Sequence, residues 1–224
     1  MALKLSVVMA TRNEEKALPL VVRAIRRVAP SAEIVICDSS TDRTPHIARK
    51  LGVRVISQPP QGYGRALKAA LLAAKGEIII TLDCDNTYPA EKIPEFVKKI
   101  RAGYAVVSGS RFLGTSPAAM PLMNRFGNRL FAFLVSLLYG IRVTDVTTGM
   151  RAYTREVIRT FDWTENTGLS IELIFKPAVA GFKYTEIPID YRPRVGEVKL
   201  NPFTGGLSML KSILKYKIIG VKKR

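Results

Sequence analysis

Cysteine is nearly absent from this chain, with Cys37 and Cys84 the two among 224 residues. Each sits in an apolar run patterned like a buried strand. A disulfide framework is therefore excluded, and packed free thiols in a reducing, cytoplasmic setting are expected. A single histidine leaves too few ligands for a zinc site. Long hydrophobic runs are missing as well. The longest uncharged apolar stretch, residues 130–141, has twelve residues, whereas spanning a bilayer takes about 20. Neither a membrane-crossing helix nor a signal peptide is expected. The twelve-residue stretch reads equally as a core helix or as one lying in a membrane interface.

Acids are also scarce. Eighteen Asp and Glu face thirty-five Lys and Arg, leaving a formal charge of +17. Such an excess points to a polyanionic partner: nucleic acid, an anionic membrane or phosphate-bearing substrates. The charge is patterned. Residues 192–224 carry nine basic residues and one acid, while residues 161–191 carry two basic residues and five acids. With 47% hydrophobic residues the chain has enough apolar material for a core, and its length suits one domain with a functional tail.

Continuous apolar strands are expected at residues 5–10, 33–37, 53–57 and 77–82, alternating with helices at about 15–28, up to about 51, and 65–74. That alternation is the pattern of a parallel sheet covered on both faces. After Arg111 it stops. Residues 126–141 carry an apolar stripe at helical spacing. A turn-rich segment follows at 145–149, then a strand at 150–153, a helix at 170–180 and a strand at 184–189. A basic Pro/Gly-bearing loop at 192–206 precedes a tail with helical potential, 207–221. No internal repeat or low-complexity segment is present.

Ligands of open α/β sheets bind beyond the carboxyl ends of the strands. Three strands here end in polar residues: Asn13 and Glu14, then Asp38, then Asp83 and Asp85. The Asp83-Cys84-Asp85 triplet is the most informative. Two carboxylates this close repel each other unless a cation joins them, and Mg²⁺ or Mn²⁺ shared with phosphate oxygens suits such a pair. Asp38 stands where a carboxylate can accept hydrogen bonds from a nucleobase, and Asp42 or Thr41 is placed to cap the next helix. Gly62-Tyr63-Gly64 precedes a helix, either as a plain turn or as a loop approached by phosphates.

The ordered segments SVVMATRNEE, VICDSSTDRT, QGYGRAL, IIITLDCDNTYP, SGSRF, DVTTGMRAY and EIPIDYRPRVGEVKLN resemble a family 2 glycosyltransferase of the GT-A fold. Within that family they are most similar to dolichyl-phosphate mannose or glucose synthases and their prokaryotic relatives. The resemblance covers residues 4–203. It implies a Rossmann-like, mostly parallel sheet with helices on both faces, and the charge pattern of the sequence itself adds a basic amphipathic C-terminal segment beyond it. Residues 1–113 would bind a nucleotide sugar, 114–206 an acceptor, and 207–224 would form a membrane-associating tail.

The implied roles follow position by position. Glu14, beside Asn13, lies near the nucleoside; Asp38 reads the base; Gly62 lines the donor loop. Asp83 and Asp85 hold Mg²⁺ or Mn²⁺ and the donor diphosphate. Arg111, Arg125 and Arg151 bind the acceptor phosphate, whereas Arg129 also reads as a solvated helix residue. Arg194 and Lys199 belong to a loop closing over both phosphates and, with Asp85, form the catalytic set. The chain departs from the family pattern at Arg12, which replaces an aromatic, at Cys37, which replaces an Asp, at Thr87, where a Gln is common, and at Val198, which replaces a Ser.

The implied reaction is transfer of a hexose with inversion, mannose from GDP-mannose or glucose from UDP-glucose, to polyprenyl or dolichyl phosphate. The enzyme would sit at the cytoplasmic face of an anionic membrane, with room for a separate membrane partner. A sugar-hydroxyl acceptor in polysaccharide or glycolipid synthesis is the alternative. A nucleotidyltransferase would open on a Gly-rich loop where residues 10–14 stand, and a nucleic-acid binder would interleave aromatics with its basic residues. Neither pattern is present, and no nucleic-acid partner is expected.

Overall fold

The computed structural model describes residues 4–114, 120–197, 202–221 and 223. Seven strands form one sheet in the order β3-β2-β1-β4-β6-β5-β7. In chain order these are β1 (Leu5–Thr11), β2 (Glu33–Asp38), β3 (Arg54–Ser57), β4 (Ile78–Thr81), β5 (Val106–Ser110), β6 (Arg151–Thr154) and β7 (Tyr184–Pro188). The helices are α1 (Leu18–Val28), α2 (Thr44–Lys50), α3 (Tyr63–Ala73), α4 (Ile93–Arg101), α5 (Leu122–Tyr139), α6 (Arg155–Thr160), α7 (Leu169–Val179) and α8 (Pro202–Ile219). The expected α/β architecture, a mostly parallel sheet with helices on both faces, is present.

Burial explains the strands. Val7, Val8, Met9, Val35, Ile36 and Ile80 are wholly inaccessible, as β-branched and unbranched apolar residues are when both faces of a parallel sheet are covered. One face packs on α1 and α4 through Leu18, Val21, Val22, Ile25 and Phe96. The spacing of the four α1 residues, three, one and three apart, is that of one helical face. The other face packs on α3, α6 and α7 through Leu67, Leu71, Val157 and Leu173. A third cluster joins α5, α7 and α8 through Val135, Phe175, Ile213 and Tyr216.

Several boundaries differ from the sequence reading. Helix α1 starts at Leu18, not near Glu15. The Glu14 carbonyl accepts the N–H groups of Ala17 and Leu18, and this turn, following Asn13 at φ 53°, consumes the residues between. Helix α8 begins at Pro202, five positions before the expected tail. Helix α5 runs from Leu122 and ends at Gly140, whose φ of 66° closes the helix in the left-handed conformation. Helices α4 and α6 and strand β5 were not placed individually by the sequence pattern.

The decisive topological feature is β6. It runs antiparallel between β4 and β5, with Arg151 opposite both Thr81 and Ser108. Its start therefore lies at the same sheet edge as the end of β4. Residues 145–149, far along the chain, are delivered beside the carboxylates that follow β4.

Candidate active site

Strands β1 and β2 end together, with Thr11 paired to Asp38, and β4 runs beside β1 with Thr81 opposite Val8. The loops after these three strands share one edge. Among the described residues they surround a cavity of about 370 Å³, lined by Thr11, Arg12, Glu14, Ser39, Gly62, Tyr63, Asp83, Asp85, Gly149, Ser170, Arg194 and Met209, among others.

The first two loops are laced together. Asn13 Oδ1 accepts the Thr41 N–H at 2.9 Å, and the Asn13 N–H donates to Ser40 Oγ at 2.7 Å. Asp38 is buried. Its Oδ1 accepts the hydroxyls of Thr11 at 2.7 Å and Ser40 at 2.6 Å, and its Oδ2 accepts the Ser40 N–H. Asp38 thus braces the β1–β2 edge from beneath, while its neighbour Ser39 faces the cavity. The Glu14 N–H donates to Thr44 Oγ1, which ties the same loop to α2.

Asp83 and Asp85 both reach the cavity. Asp83 Oδ1 accepts the Tyr63 hydroxyl at 2.8 Å. On its other side Gly149 approaches so closely that a Cβ there would lie 2.6 Å from Asp83 Oδ2. Burial, and then the charge of Asp85, push the Asp83 carboxyl up to about 6. Burial and the Asp83 charge push the Tyr63 phenol well above its ordinary value, so it remains a donor. Asp85 Oδ1 accepts the N–H and hydroxyl of Thr87, an Asx turn that fixes the carboxylate.

Arg194 closes the group. Its Nη1 donates to Asp85 Oδ2 at 2.7 Å and its Nη2 to Glu14 Oε1 at 3.0 Å. The backbone follows, because Val195 N–H donates to the Asp85 carbonyl and Arg192 N–H to the Thr87 carbonyl. One guanidinium thus joins residues that follow the ends of two strands. Lys199, its expected companion, lies outside the described residues. Gly62 borders the cavity at φ 104°, a conformation suited to glycine, with Asn166 packed against the space where a Cβ would stand.

The three arginines expected at an acceptor are not equivalent. Arg111 is buried in a bidentate pair with Asp145, at 2.6 Å and 2.8 Å. It also donates to Thr147 Oγ1 and lies over the Tyr191 ring. Burial alone would raise the Asp145 carboxyl, but the Arg111 charge and hydrogen bonds hold it below the ordinary range. Arg151 is 2% exposed and donates to the carbonyls of Val146 and Ser170. Its guanidinium organises the 145–149 loop and the start of α7 and does not border the cavity. Arg125 is half-buried at the start of α5, donating to the Met120 carbonyl. Arg129, one turn on, is exposed and lies over the Phe112 ring.

Sequence reasoning placed Tyr63 in a candidate loop without a role for its side chain, and assigned no role to Gly149, Asn166 or Asp145. For Asp145 the signal was present, since D-V-T-T-G offers a carboxylate beside turn residues. For the others only the fold shows the contact.

A sheet edge carrying paired carboxylates, a nearby Glu and a bridging Arg, on a GT-A-type α/β fold, defines a glycosyltransferase. The chain belongs to glycosyl transferase family 2, whose pattern matches residues 6–161. It is 53% identical over 212 residues to a dolichyl-phosphate hexose transferase of Haloferax volcanii, covering 94% of this chain and 92% of that one. It is 36% identical over 219 residues to the low-salt glycan biosynthesis hexosyltransferase Agl6 of the same organism, covering 94% of this chain and 53% of the relative. Among solved structures, glucosyl-3-phosphoglycerate synthase of Mycobacterium tuberculosis in complex with Mn²⁺, UDP and phosphoglyceric acid superposes with a TM-score of 0.75 at 23% identity. That match covers 96% of this chain and 79% of the other, and it establishes the fold.

Proposed function

We propose that this glycosyltransferase uses a nucleotide-sugar donor and a divalent ion, Mg²⁺ or Mn²⁺, and moves a hexose to a polyprenyl phosphate. The observation that carries the reading is the meeting of Asp83, Asp85, Glu14 and Arg194 around one cavity at the strand ends. The residues fit a hard ion. Burial, and then the neighbouring charge of Asp85, raise the Asp83 carboxyl, and Gly149 leaves room at Asp83 that a side chain would fill. No cluster of three or more His, Cys, Asp and Glu is found among the described residues. Two carboxylates with phosphate and water oxygens make a Mg²⁺ or Mn²⁺ shell. When bound, the ion would neutralise charge on the leaving diphosphate.

Within this reading, residues 1–113 hold the donor, with Asp38 behind the base-side wall, Asn13 and Glu14 near the nucleoside and Gly62 beside the diphosphate. Residues 114–206 supply the acceptor side, and residues from 207 onward the membrane contact. Arg194, with Lys199 in the same loop, stabilises the leaving group. The bond from the anomeric carbon to the diphosphate breaks as one to an acceptor oxygen forms, inverting the centre. A phosphate acceptor is already anionic and needs no catalytic base. Arg129 is the cation placed outward for its headgroup, half-buried Arg125 stands one turn before it, and Arg111 acts on the headgroup from behind through the 145–147 loop.

A lipid acceptor is supported by the 53% identical relative and by the surface. Leu122, Met123, Phe126, Leu130, Phe133 and Leu137 lie exposed along α5, and Leu207, Leu214 and Ile218 along α8, which packs beside it. No described helix is long and apolar enough to cross a membrane. Two helices presenting apolar faces with Arg129, Lys211 and Lys215 near them suit peripheral contact with anionic lipid at the cytoplasmic face.

A second reading keeps the donor site and replaces the acceptor with a sugar hydroxyl in glycan or glycolipid synthesis. The hexosyltransferase named for low-salt glycan biosynthesis supports it. A radiolabelled donor panel, GDP-mannose and UDP-glucose first, separates the two. Each donor is offered polyprenyl phosphate in detergent and, in parallel, free oligosaccharide, with Mn²⁺ and with EDTA. Label in the lipid phase alone supports the first reading; label in the oligosaccharide alone replaces it with the second.

A further inference from the structure

We propose that Tyr63 and Asn166 are positioning residues for the Asp83 carboxylate, the first acting directly and the second through the start of α3. The proposal rests on the divalent-ion reading of Asp83 and is independent of the acceptor.

The contact at the carboxylate is the Tyr63 hydroxyl, 2.8 Å from Oδ1. Tyr63 is the first residue of α3, and that helix has no cap of its own because its N-cap is Gly62. Asn166, 102 positions beyond Gly64, fills the role. Its Oδ1 accepts the Gly64 N–H at 2.9 Å and the Arg65 N–H at 3.3 Å, while its Nδ2 donates to the Gln61 carbonyl at 2.9 Å. Donors at a helix start otherwise have no intrahelical partner, so this side chain sets where the first turn of α3 lies.

The fit leaves no slack. A Cβ on Gly62 would stand 2.3 Å from Asn166 Nδ2, and one on Gly64 would stand 2.0 Å from the Asn166 carbonyl oxygen. The 163–168 loop is itself held from behind. Glu165 accepts from Ser212, Lys215 and Tyr216 of α8. The Glu172 carboxylate of α7 accepts the N–H groups of Thr164 and Glu165.

A carboxylate with Gly149 against one oxygen and a phenol on the other has little rotational freedom. Its remaining lone pairs point in a direction fixed before any ion arrives. Partners behind a ligating carboxylate are worth roughly tenfold or more in metal affinity.

The test uses the full chain with Mn²⁺ alone, titrated by loss of the free-ion paramagnetic resonance signal, and thermal unfolding in parallel. Tyr63→Phe keeps the ring and removes the donor. We expect affinity for Mn²⁺ to fall about tenfold with the unfolding temperature nearly unchanged. Asn166→Ala should show the same fall, and Asn166→Asp should restore part of it, since a carboxylate oxygen still accepts both N–H groups and suits a helix N-terminus, while the donor to the Gln61 carbonyl is lost. If Asn166→Ala fails to fold, Tyr63→Phe and Asn166→Asp decide. Wild-type affinity in Tyr63→Phe overturns the proposal. So does an Asn166→Ala protein that melts earlier yet binds Mn²⁺ normally, which would make Asn166 a structural cap only. If the wild type itself binds no Mn²⁺ at millimolar concentration, the divalent-ion reading falls, and this proposal falls with it.

Discussion

Arg194 donates to Asp85 Oδ2 at 2.7 Å, across 109 positions of sequence, and the same guanidinium reaches Glu14 at 3.0 Å. The side chain is 28% exposed, against 6% for each carboxylate. A partly exposed cation held by two buried carboxylates can change partners when a diphosphate enters, and its backbone anchor through Val195 keeps it nearby.

Arg194→Ala should therefore impair transfer far more than folding. Loss of one preorganised cation at a developing charge costs about 10²–10³ in kcat. Steady-state kinetics with saturating Mn²⁺ checks this, alongside circular dichroism melts that should shift by no more than a few degrees. Activity within threefold of wild type would remove Arg194 from the leaving-group role.

Two glycines give a sharper contrast. Gly149→Ala places a methyl 2.6 Å from Asp83 Oδ2, where the backbone cannot yield without moving the carboxylate. Activity and Mn²⁺ affinity should both collapse in a folded protein. Gly127→Ala, inside α5 with nothing within 4 Å of the new Cβ, should instead stabilise by up to about 1 kcal/mol, because glycine is a poor helix interior residue. Equal effects from the two would show that Asp83 tolerates displacement.

The Arg111–Asp145 pair predicts the response to acid. Asp145 is held below the ordinary carboxylate range in the fold, so its contribution to stability is fully present above its unfolded value, near 3.9. That contribution is lost as pH falls through the folded value, because protons then bind the unfolded chain more readily. Asp145→Asn leaves Arg111 buried without its counter-charge and should cost about 3–5 kcal/mol near neutral pH. Chemical denaturation at pH 7 and near pH 3 measures it: the gap between wild type and variant should narrow at the lower pH. A gap that does not change with pH would deny the pair its ionic character.

The first half of the fold was largely legible in the sequence. Apolar runs and strand-end acids located β1, β2, β4 and the carboxylates, because a parallel sheet forces those ends to one edge. Three things were not legible. The antiparallel insertion of β6 cannot be read from four residues, RAYT, whose pattern suits either direction, yet it brings Gly149 to Asp83. Arg151 carries the same sequence signal as a ligand-binding arginine, and only its burial against Val146 and Ser170 shows its internal task. Asn166 reaches α3 from 102 positions away, with no local pattern to announce it.

The apolar stripe was legible as a stripe, and its side was not. The sequence left it between core and interface, and α5 divides it: Phe131 and Leu138 pack against the cluster joining α5, α7 and α8, whereas Phe126, Leu130 and Leu137 are exposed. A face this exposed contributes little to aqueous stability, so substitutions on it should lower the melting temperature only slightly. Phe126→Ser, Leu130→Ser and Leu137→Ser combined should instead weaken binding to vesicles containing anionic lipid, measured by flotation. Arg129 and Lys211 add an electrostatic component of about 1 kcal/mol for each residue near the surface. Raising salt should reduce wild-type binding and leave a residue that the triple variant lacks, because screening weakens charge attraction and spares the apolar part. Transfer to polyprenyl phosphate in vesicles should fall with binding, while transfer to the same lipid dispersed in detergent should be spared. If the triple variant floats as well as wild type, the α5 face is not the membrane contact. If it also loses transfer in detergent, the face touches the acceptor itself.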